Sequence, residues 1–446
     1  MGLTGIQIFK LLPKTNCGDC GFPTCLAFAM ALAAAKSELE KCPFVSDEAK
    51  AQLSEASAPP IRQVTIGTGD YAVKVGGETV LYRHEKTFFN KPGLAILITD
   101  SMDDAEVDRR FGKLAELQFE RVGLNLRPEL VAVKNGGNKE KFLSIVKKAA
   151  GSPYGVILMS SDAATMKEAL ELVKEKKPLI YAATKDTADA FGALAKEYAC
   201  PLAVKGENLD DVSALSEKLT GMGIKDLVLD SGARSVKAGF QDQIFMRRAA
   251  LLSKFKPLGF PTITFPCEMT DDLAKETLIA SLFIAKYAGI IVLSAFEGEN
   301  VFPLLLERLN IYTDPQRPMT TDQGIYPINN PDQNSPVLVT CNFSLTYFIV
   351  TGEIENSRVP TWLCVMDTEG LSVMTAWAAG KFVGDAVGPF IKKSGITDKV
   401  GHKKLVIPGY AASILGDLEE ELPGWEIIVG PREAAHLPVF LKMWKA

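Results

Sequence analysis

The sequence predicts a multidomain α/β protein with a small cysteine-rich N-terminal domain, a central (β/α)8 TIM-like barrel and a C-terminal doubly wound, Rossmann-like domain. Half of the cysteines fall within the first 42 residues, eight apolar runs then alternate with amphipathic helical segments, and four more such runs follow a polar break. A chain of 446 residues is long enough for two or three domains. We therefore predict a metal-binding domain at 1–58, a linker with a β-hairpin at 59–92, the barrel at 93–311, a second linker at 312–331 and a ligand-binding domain at 332–446.

The composition is that of an ordinary globular protein, with 47% hydrophobic and 23% charged residues. A formal charge of −5 and the absence of a Lys/Arg run predict no nucleic-acid partner, because phosphate binding needs a basic surface. The first ten residues lack a signal-peptide pattern, and apolar runs such as 26–35 are about half of the roughly 20 residues that a bilayer requires. We expect a cytoplasmic protein with no membrane partner.

Four cysteines near the N-terminus have the spacing Cys-x2-Cys-x4-Cys-x16-Cys: Cys17, Cys20, Cys25 and Cys42. Glycines beside the first pair let the backbone wrap closely around a bound centre, and a proline follows the last cysteine, as in the bacterial ferredoxin pattern. Thiolates are soft ligands that select zinc or iron–sulfur clusters. An iron–sulfur domain is favoured, because zinc sites usually come as two short Cys-x2-Cys pairs and the last cysteine here stands alone. A zinc ion and a disulfide pair are the alternatives.

The segment around these cysteines is predicted to form helices at 3–12, 24–41 and 46–57, ended by a Pro-Pro pair. Cys25 then falls in the first turn of a helix, whose N-terminus stabilises an anionic cluster. The remaining cysteines are isolated in apolar strands or at their ends and are predicted to be buried structural thiols: Cys200, Cys267, Cys341 and Cys364.

The linker at 59–92 has a β pattern. Its segments Tyr71–Val75 and Glu78–Tyr82 flank a Gly-Gly pair, which predicts a hairpin with a primed turn. His84, in the same linker, has no second ligand at metal spacing and is predicted to be structural.

The eight apolar runs are predicted to be the parallel strands of the barrel: Leu94–Ile98, Leu130–Val133, Val156–Met159, Leu179–Ala182, Leu202–Val204, Leu227–Leu229, Thr262–Phe265 and Ile290–Leu293. Polar residues follow several strands, at the end where barrel enzymes hold their active sites: Thr99-Asp100, Ser160-Ser161-Asp162, Asp230-Ser231 and Cys267-Glu268. They form no catalytic set that we recognise. Asp and Ser also cap helices, so we expect mainly caps here and a barrel that serves as a platform.

Residues 311–334 are rich in Pro, Asp, Asn and Gln and are predicted to be a linker. Four parallel strands are predicted after it, each followed by a helix: Pro336–Thr340, Thr361–Met366, Lys404–Ile407 and Glu426–Val429. Their C-terminal ends are small, polar and rich in glycine, so that backbone N–H groups could approach a large polar ligand closely. The absence of a GxGxxG motif or P-loop argues against a dinucleotide or nucleoside triphosphate, and ordinary helix caps are an equal alternative.

Several motifs together resemble one family: Cys17-Gly18-Asp19-Cys20-Gly21-Phe22-Pro23-Thr24-Cys25 with Cys42-Pro43, Asn342-Phe343-Ser344-Leu345-Thr346, Asp367-Thr368-Glu369-Gly370-Leu371-Ser372-Val373 and Val429-Gly430-Pro431-Arg432-Glu433. The chain resembles, along essentially its whole length, the large (gamma) subunit of the corrinoid iron–sulfur protein of the acetyl-CoA decarbonylase/synthase system. The resemblance implies that the four N-terminal cysteines hold a 4Fe-4S cluster and that the C-terminal domain binds a cobalamin-type corrinoid. It implies corrinoid contacts at Thr340, Thr346, Gly370, Leu371, Ser372, Val373, Thr375, Gly409, Arg432 and Glu433.

The function that the resemblance implies is methyl transfer. In that family cob(I)amide accepts a methyl group from methyltetrahydrofolate on a methyltransferase and passes it to the nickel site of acetyl-CoA synthase, so the cofactor and no side chain is catalytic. The cluster would return an electron to cobalt that has been oxidised to Co(II), since cysteine-ligated clusters reach potentials of about −700 mV. The implied partners are a small barrel subunit in a heterodimer, the methyltransferase, acetyl-CoA synthase and an electron donor such as ferredoxin.

One departure concerns the lower face of the cobalt, because the sequence has no Asp-x-His-x-x-Gly motif. A base-off corrinoid without a histidine ligand is therefore expected, with His402 and His436 structural or solvated. Two other interpretations compete with methyl carriage: a non-catalytic electron-transfer or scaffold subunit, and a barrel enzyme with an accessory cluster. The second would need a catalytic set at the barrel strand ends.

Overall fold

The computed structural model describes most of the chain, namely residues 4–33, 37, 39–46, 48–50, 53, 59–121, 124–294, 297–314 and 318–445. The chain folds as two compact units. The first combines Met1–Leu117 with Pro128–Tyr312, and the second combines Gln118–Arg127 with Thr313–Ala446. The cysteine segment and the barrel thus belong to the first unit, and the C-terminal sheet belongs to the second.

The first unit begins with two short helices, α1 (Gly5–Leu11) and α2 (Cys25–Ala33), followed by a 3-10 turn at Leu39–Lys41. Thr4 starts α1 with a capping box: its hydroxyl accepts the N–H of Gln7, and the Gln7 side chain accepts the N–H of Thr4. The cap satisfies N–H groups that the first turn of a helix leaves without partners.

Both helices contribute to one small apolar core: Ile8, Leu12, Phe28, Ala29, Val45 and Leu53. The predicted helix at 3–12 is confirmed for its described part, and α2 confirms the start of the helix predicted at 24–41. The predicted end at 41 is wrong, because the described residues 39–41 form a 3-10 turn. The helix predicted at 46–57 lies largely outside the described residues.

A β-hairpin follows, in which β1 (Val64–Ile66) pairs antiparallel with β2 (Val73–Val75). The Gly67 N–H donates to the carbonyl of Lys177 at 3.1 Å, just before a barrel strand begins. The hairpin therefore covers the amino end of the barrel, and its buried side chains share the apolar core of the barrel interior: Val64, Ile66 and Val75.

The predicted position of this hairpin is wrong. The strand β2 ends at Val75, and Gly76 and Gly77, which have positive φ, follow it without turning the chain into a second strand. The Gly77 N–H donates to the Ile61 carbonyl at 3.0 Å. The next residue, Glu78, forms no strand, because its carboxylate is buried beside Arg247 at 3.1 Å. Burial raises the pKa of Glu78 although Arg247 opposes this. A buried ion pair, which the alternating pattern does not reveal, replaces the predicted second strand.

The first barrel strand, β3 (Gly93–Thr99), precedes a second hairpin made of β4 (Phe119–Arg121) and β5 (Leu124–Leu126). This hairpin belongs to the second unit, where the guanidinium carbon of Arg121 lies 4.7 Å from the ring centroid of Phe348. The sequence pattern does not predict this insertion, because each strand is only 3 residues long.

Seven further strands complete the barrel: β6 (Leu130–Lys134), β7 (Gly155–Met159), β8 (Leu179–Ala183), β9 (Leu202–Lys205), β10 (Leu227–Asp230), β11 (Ile263–Thr264) and β12 (Ile290–Leu293). Strands that follow each other along the chain are neighbours in the parallel sheet, and β12 pairs with β3. A parallel bridge between Leu229 and Thr262 joins β10 to β11 and closes the barrel. The (β/α)8 prediction and its eight strands are confirmed.

A helix follows each barrel strand: α3 (Asp104–Glu116), α4 (Lys139–Ala150), α5 (Ala163–Val173), α6 (Ala188–Glu197), α7 (Leu209–Gly221), α8 (Val236–Leu251), α9 (Leu273–Ala285) and α10 (Gly298–Ile311). Most begin at a side chain that accepts a backbone N–H of the first turn: Asp103, Asn138, Asp162, Asn208, Ser235 and Asp272.

None of the helices in the described part of the chain combines the length and the hydropathy that a membrane span requires.

The second unit contains a five-stranded sheet with the order β13-β15-β14-β16-β17: β13 (Gly324–Ile328), β14 (Val337–Cys341), β15 (Thr361–Met366), β16 (Lys404–Ile407) and β17 (Glu426–Val429). Helices flank it: α11 (Ser344–Ser357), α12 (Val373–Ala378), α13 (Gly384–Ser394), α14 (Leu415–Glu421) and α15 (Leu437–Lys442). The last four strands are parallel, with an apolar core on each face, so the doubly wound prediction is confirmed.

The edge strand β13 lies inside the predicted linker at 312–331, and the linker prediction is wrong for these residues. The strand pairs antiparallel with β15 from Gly324 to Ile328, and Ile328 is buried. The proline at position 327 obscured the pattern, although an edge strand tolerates proline.

Candidate functional site

The N-terminal cysteines lie on and after an irregular loop at 12–24, between α1 and α2. The Asn16 side chain fixes this loop, because its Oδ1 accepts the N–H of Cys25 at 2.8 Å. The Gly21 N–H donates to the Gly18 carbonyl at 2.8 Å and closes a tight turn. Several loop residues have the positive φ that such wrapping requires: Lys14, Asn16, Gly18 and Gly21.

Cys25 is the first residue of α2, as predicted, and it is buried together with Cys42, whereas Cys17 is exposed. Cys20 packs against the same apolar core as the buried pair. Among the described residues, which include all four cysteines, no three Cys, His, Asp or Glu side chains converge closely enough to hold one metal ion.

A cavity of about 320 Å3 opens in the second unit beyond the ends of β14 and β16. Much of its wall is apolar, including Leu338, Ile349, Val350, Val406, Met374 and Leu437. Six of the predicted corrinoid contacts line it: Thr340, Thr346, Ser372, Val373, Arg432 and Glu433. The structure thus brings hydroxyl, charged and apolar groups from different strand ends around one cavity, which is where ligands of such sheets bind.

Three of the other predicted contacts do not line the cavity. Gly370 has a φ of 75°, and Leu371 packs into the apolar core beneath the loop. The hydroxyl of Thr375 lies 3.0 Å from that of Ser372, which does line the cavity. These residues shape the loop after β15 and orient the residues that reach the cavity.

Gly409, the fourth such residue, lies behind the cavity wall. A Cβ there would stand 2.6 Å from both the amide nitrogen of Arg432 and the carbonyl oxygen of Gly430. Its own N–H donates to the Pro431 carbonyl at 3.1 Å. A Cβ on Gly430 would likewise stand 2.9 Å from Cγ1 of Val406. Two turns can pack this closely only because both residues are glycine, and bare backbone of this kind can approach a large polar cofactor.

Asn342 joins the ends of β14 and β15. Its Oδ1 accepts the N–H groups of Thr368 and Gly370 at 3.0 Å each, and its Nδ2 donates to Asp367 at 2.9 Å. Asn342 is buried, so these bonds fix the loop in a protected place. The Asn342 and Asp367–Gly370 motifs therefore have a structural role that the sequence pattern alone does not reveal.

Three interacting polar side chains lie at the open side of the cavity. The Tyr410 hydroxyl donates to Oε1 of Glu433 at 2.9 Å, which raises the pKa of Tyr410. The guanidinium carbon of Arg432 lies 5.9 Å from the centroid of the Tyr410 ring. The sequence prediction missed Tyr410 and the apolar cavity residues. The helical spacing of Thr346, Ile349 and Val350 could have identified some of them.

The polar residues at the barrel strand ends are engaged with neighbouring groups. Asp162 caps α5, as predicted. Asp100 does not cap a helix directly after its strand; its carboxylate accepts the N–H groups of Gly136, Gly137 and Asn138 at 2.8 to 3.1 Å. Cys200, Cys341 and Cys364 are buried, as predicted, whereas the prediction of burial is wrong for Cys267, which is partly exposed at the end of its strand. Desolvation still raises the pKa of the Cys267 thiol to about 12.

Comparison with known proteins adds to this geometry. The CO dehydrogenase/acetyl-CoA synthase delta subunit family matches residues 63–441, and an Fe-S cluster family matches residues 12–44. The chain is 42% identical to the corrinoid/iron-sulfur protein large subunit of Moorella thermoacetica over 99% of both chains. It is 37% identical to the acetyl-CoA decarbonylase/synthase complex subunit gamma of Methanopyrus kandleri, over 99% of this chain and 97% of that one.

The fold defines a multidomain α/β protein in which a (β/α)8 barrel lies, along the chain, between a cysteine-rich segment and a mostly parallel C-terminal sheet. The matches span the cysteine loop, the barrel and the C-terminal sheet. The chain belongs to the family of corrinoid/iron–sulfur protein large subunits and acetyl-CoA decarbonylase/synthase gamma subunits.

Proposed function

We propose that this protein is the methyl-carrying large subunit of a corrinoid iron–sulfur protein. The cobalt of its bound corrinoid would accept a methyl group from methyltetrahydrofolate through a methyltransferase and pass it to acetyl-CoA synthase. The glycine-walled cavity at the strand ends of the second unit carries this proposal, in a chain whose relatives bear corrinoid and acetyl-CoA synthesis names. The chain itself binds, orients and shields the cofactor, and no side chain is proposed to be catalytic.

The cavity residues suit a large cofactor with an apolar ring and polar edges. Hydroxyls of Thr340, Thr346 and Ser372 would bond polar groups at the cofactor edge, while Val373 and Met374 offer apolar contact. The volume is near the lower end of the roughly 300–1,000 Å3 of small-molecule sites, so the cavity would hold one side of a corrinoid. The remaining predicted contacts would act through the walls: Gly370, Leu371, Thr375 and Gly409.

We also propose that the corrinoid binds base-off and without a histidine ligand. His402 has both ring nitrogens engaged: Nε2 lies 3.0 Å from the Ser335 carbonyl and Nδ1 accepts the Lys404 N–H at 3.2 Å. These contacts lie at the amino end of the sheet, away from the cavity. His436 is exposed and does not line the cavity, and His84 belongs to the first unit.

For the four N-terminal cysteines we propose a 4Fe-4S cluster that supplies the electron needed to reactivate oxidised cobalt. The soft thiolate set suits iron and sulfide. Cys25 lies at the amino end of α2, where the helix dipole stabilises negative charge. The bond from the Cys25 N–H to Asn16 holds the loop against that helix end.

The proposed partners are a small barrel subunit, the methyltransferase, acetyl-CoA synthase and an electron donor such as ferredoxin. Relatives that are named as subunits of the acetyl-CoA decarbonylase/synthase complex support this proposal. Large apolar side chains stand exposed on the barrel helices, where a partner subunit could cover them: Phe245, Leu252, Leu273 and Leu278.

Metal analysis and absorption spectroscopy of anaerobically purified protein test the function. We expect cobalt equimolar with the chain, iron with matching sulfide, and a corrinoid absorption band. The Cys42→Ser variant should lose iron, keep corrinoid and lose reductive reactivation of Co(II). The matched control is Cys200→Ser, because Cys200 is also buried and its thiol donates to the Tyr198 carbonyl, a bond that serine can keep.

The outcomes separate the competing functions. Zinc in place of iron would contradict the cluster. Iron without a corrinoid band would favour the electron-transfer or scaffold subunit. A Cys42→Ser protein that lacks its cluster and is still reactivated at the parental rate would refute the electron-supplying role.

A further inference from the structure

The barrel of the first unit holds a cavity of its own, of about 250 Å3, at the carboxyl ends of its strands. Polar and charged side chains surround it, chiefly Lys134, Asn135, Ser160, Tyr181, Thr184 and Lys205. All of these are contributed by β6, β7, β8 and β9 or by the loops directly after them. This end of a (β/α)8 barrel is also where the N-termini of the surrounding helices point, which favours bound anions.

Strand alternation explains why charge appears at this level of the barrel. In β6, β9 and β10 the last apolar residues that face the interior belong to the buried core: Ala132, Ala203 and Val228. Side chains on a strand return to the same face after two residues. The next inward positions carry charge at the mouth: Lys134, Lys205 and Asp230.

Most of this charge is already balanced within the protein. Arg234 donates to both oxygens of Asp230 at 3.1 and 2.9 Å, and the Tyr181 hydroxyl donates to Asp230 at 2.6 Å. Glu268 accepts from Arg234 at 2.5 Å and from Lys134 at 2.8 Å. Two carboxylates therefore neutralise two of the cations, and the phenol completes a hydrogen-bonded network.

Lys205 is the cavity cation that this network does not neutralise. It lines the cavity and is partly buried, yet within the described part of the chain its ammonium group forms no ion pair or hydrogen bond. An anion beside this unpaired ammonium would gain a charge-assisted hydrogen bond and would be stabilised. On the same wall, Asn135 donates to the buried Ser160 hydroxyl at 3.2 Å, and the Thr184 hydroxyl lies 3.0 Å from that of Thr187. These paired polar groups form a fixed surface that the rest of such a ligand would contact.

We propose that the barrel mouth is a second binding site, separate from the corrinoid cavity, for a small organic anion. Its carboxylate or phosphate would pair with Lys205, and a short neutral polar part would contact Asn135, Ser160 and Thr184. Asp230 and Glu268 are already paired with Arg234 and Lys134, so among the described cavity residues Lys205 is the one cation left for a ligand, and the site favours one anionic group per ligand. The barrel is then a ligand-binding domain as well as a platform.

Titration calorimetry on the full chain tests this proposal, with lactate as the carboxylate probe and glycerol 3-phosphate as the phosphate probe. Binding of either probe supports the site, and the tighter probe identifies the anionic group. Lys205→Met should weaken binding by at least about tenfold, because it removes a charge-assisted hydrogen bond. Lys205→Arg keeps the charge and should retain most of the affinity, which separates a binding role from a folding role.

The matched control is Lys185→Met. Lys185 follows β8 at the same end of the barrel and pairs with Asp211 at 2.8 Å, but it does not line the cavity. The Lys185→Met variant removes the same unit of positive charge and should leave the affinity for either probe unchanged. Binding of neither probe, or equal affinity in Lys205→Met and the parent, would overturn the proposal. Corrinoid absorbance, measured in parallel, should not change in any of these variants.

Discussion

The two parallel sheets of this protein both end at a cavity, but they prepare it with different chemistry. In the barrel, strand ends carry charged side chains that pair with each other, as Asp230 does with Arg234. In the C-terminal sheet, the corresponding ends carry hydroxyls and glycines, and Gly409 and Gly430 let backbone turns pack without side chains. The barrel mouth is thus specialised by side-chain charge, whereas the C-terminal cavity is specialised by close backbone packing.

This comparison shows that the topology of a sheet determines where its cavity lies but not which ligand the cavity binds. Parallel strands place a cavity at their carboxyl ends in both cases. The residue types at those ends then differ: an unpaired cation at the barrel mouth would suit a small anion, whereas hydroxyl and apolar side chains beside closely packed glycine turns would suit a large ring. Variants that alter one end and leave the other unchanged can test this division.

The largest effect is expected from the choice of the first residue in a fragment that contains the C-terminal domain. We predict that a fragment of residues 318–446 folds and binds corrinoid, whereas the fragment 332–446 is much less stable and binds poorly. The shorter fragment lacks β13, which pairs along β15 and buries Ile328, a burial worth about 2 kcal/mol by itself. Urea unfolding and corrinoid absorbance after gel filtration measure both properties. Equal stability of the two fragments would show that the domain does start near residue 332, as the sequence predicted.

A smaller but more local effect is expected from Gly409→Ala. The added methyl group would stand 2.6 Å from backbone atoms of Gly430 and Arg432, so the cavity wall must move. Overpacking of this kind costs about 1–3 kcal/mol, and we expect corrinoid affinity to fall by about tenfold. Gly416→Ala in α14 is the control, because a Cβ there meets no atom within 4 Å. Undiminished corrinoid binding in Gly409→Ala would remove the close-packing explanation of the cavity.

The stability that the charged residues at the barrel mouth contribute should depend on pH. Burial opposes ionisation of Glu268, but hydrogen bonds from Lys134 and Arg234 outweigh it and lower the pKa of this carboxyl below 4.5. Because the folded-state pKa is lowered, the stability that Glu268 contributes is complete above pH 4.5 and is lost as pH falls through the folded pKa. Glu268→Gln should therefore reduce the free energy of unfolding by about 1 kcal/mol at pH 7. The difference from the parent should shrink in urea unfolding below pH 4.5, and a constant difference would contradict this assignment.

Sequence patterns predicted the barrel well because apolar strands such as Leu130–Lys134 are buried on both faces and appear as continuous apolar runs. They failed where long-range pairing decides the structure. Glu78 leaves a β pattern because its partner, Arg247, lies 169 residues away in the chain. The edge strand Gly324–Ile328 is half-buried and contains proline, so its composition resembles that of a linker.

The site followed the same division. Polar cavity residues such as Thr340 and Arg432 were expected from the family resemblance, while the apolar wall was not, since an apolar residue such as Val350 has the same pattern in a core as in a cavity. The position of Lys205 in a cavity could not be predicted from the sequence, because an isolated lysine at a strand end is usually a solvated surface residue.

The smallest effect is expected from the histidines, and here the prediction is the absence of change. If the corrinoid has no histidine ligand, electron paramagnetic resonance of the Co(II) state should show no superhyperfine splitting from an axial nitrogen, and His402→Ala and His436→Ala should leave the spectrum as it is. His402→Ala should still lower stability, by about 1 kcal/mol, because it removes hydrogen bonds to Ser335 and Lys404. Without a strong axial donor, the higher oxidation states of cobalt lose stabilisation and Co(I) becomes easier to reach. Nitrogen splitting in the parent that disappears in either variant would instead identify that histidine as the ligand, and the C-terminal cavity would then resemble the barrel mouth in relying on a side chain.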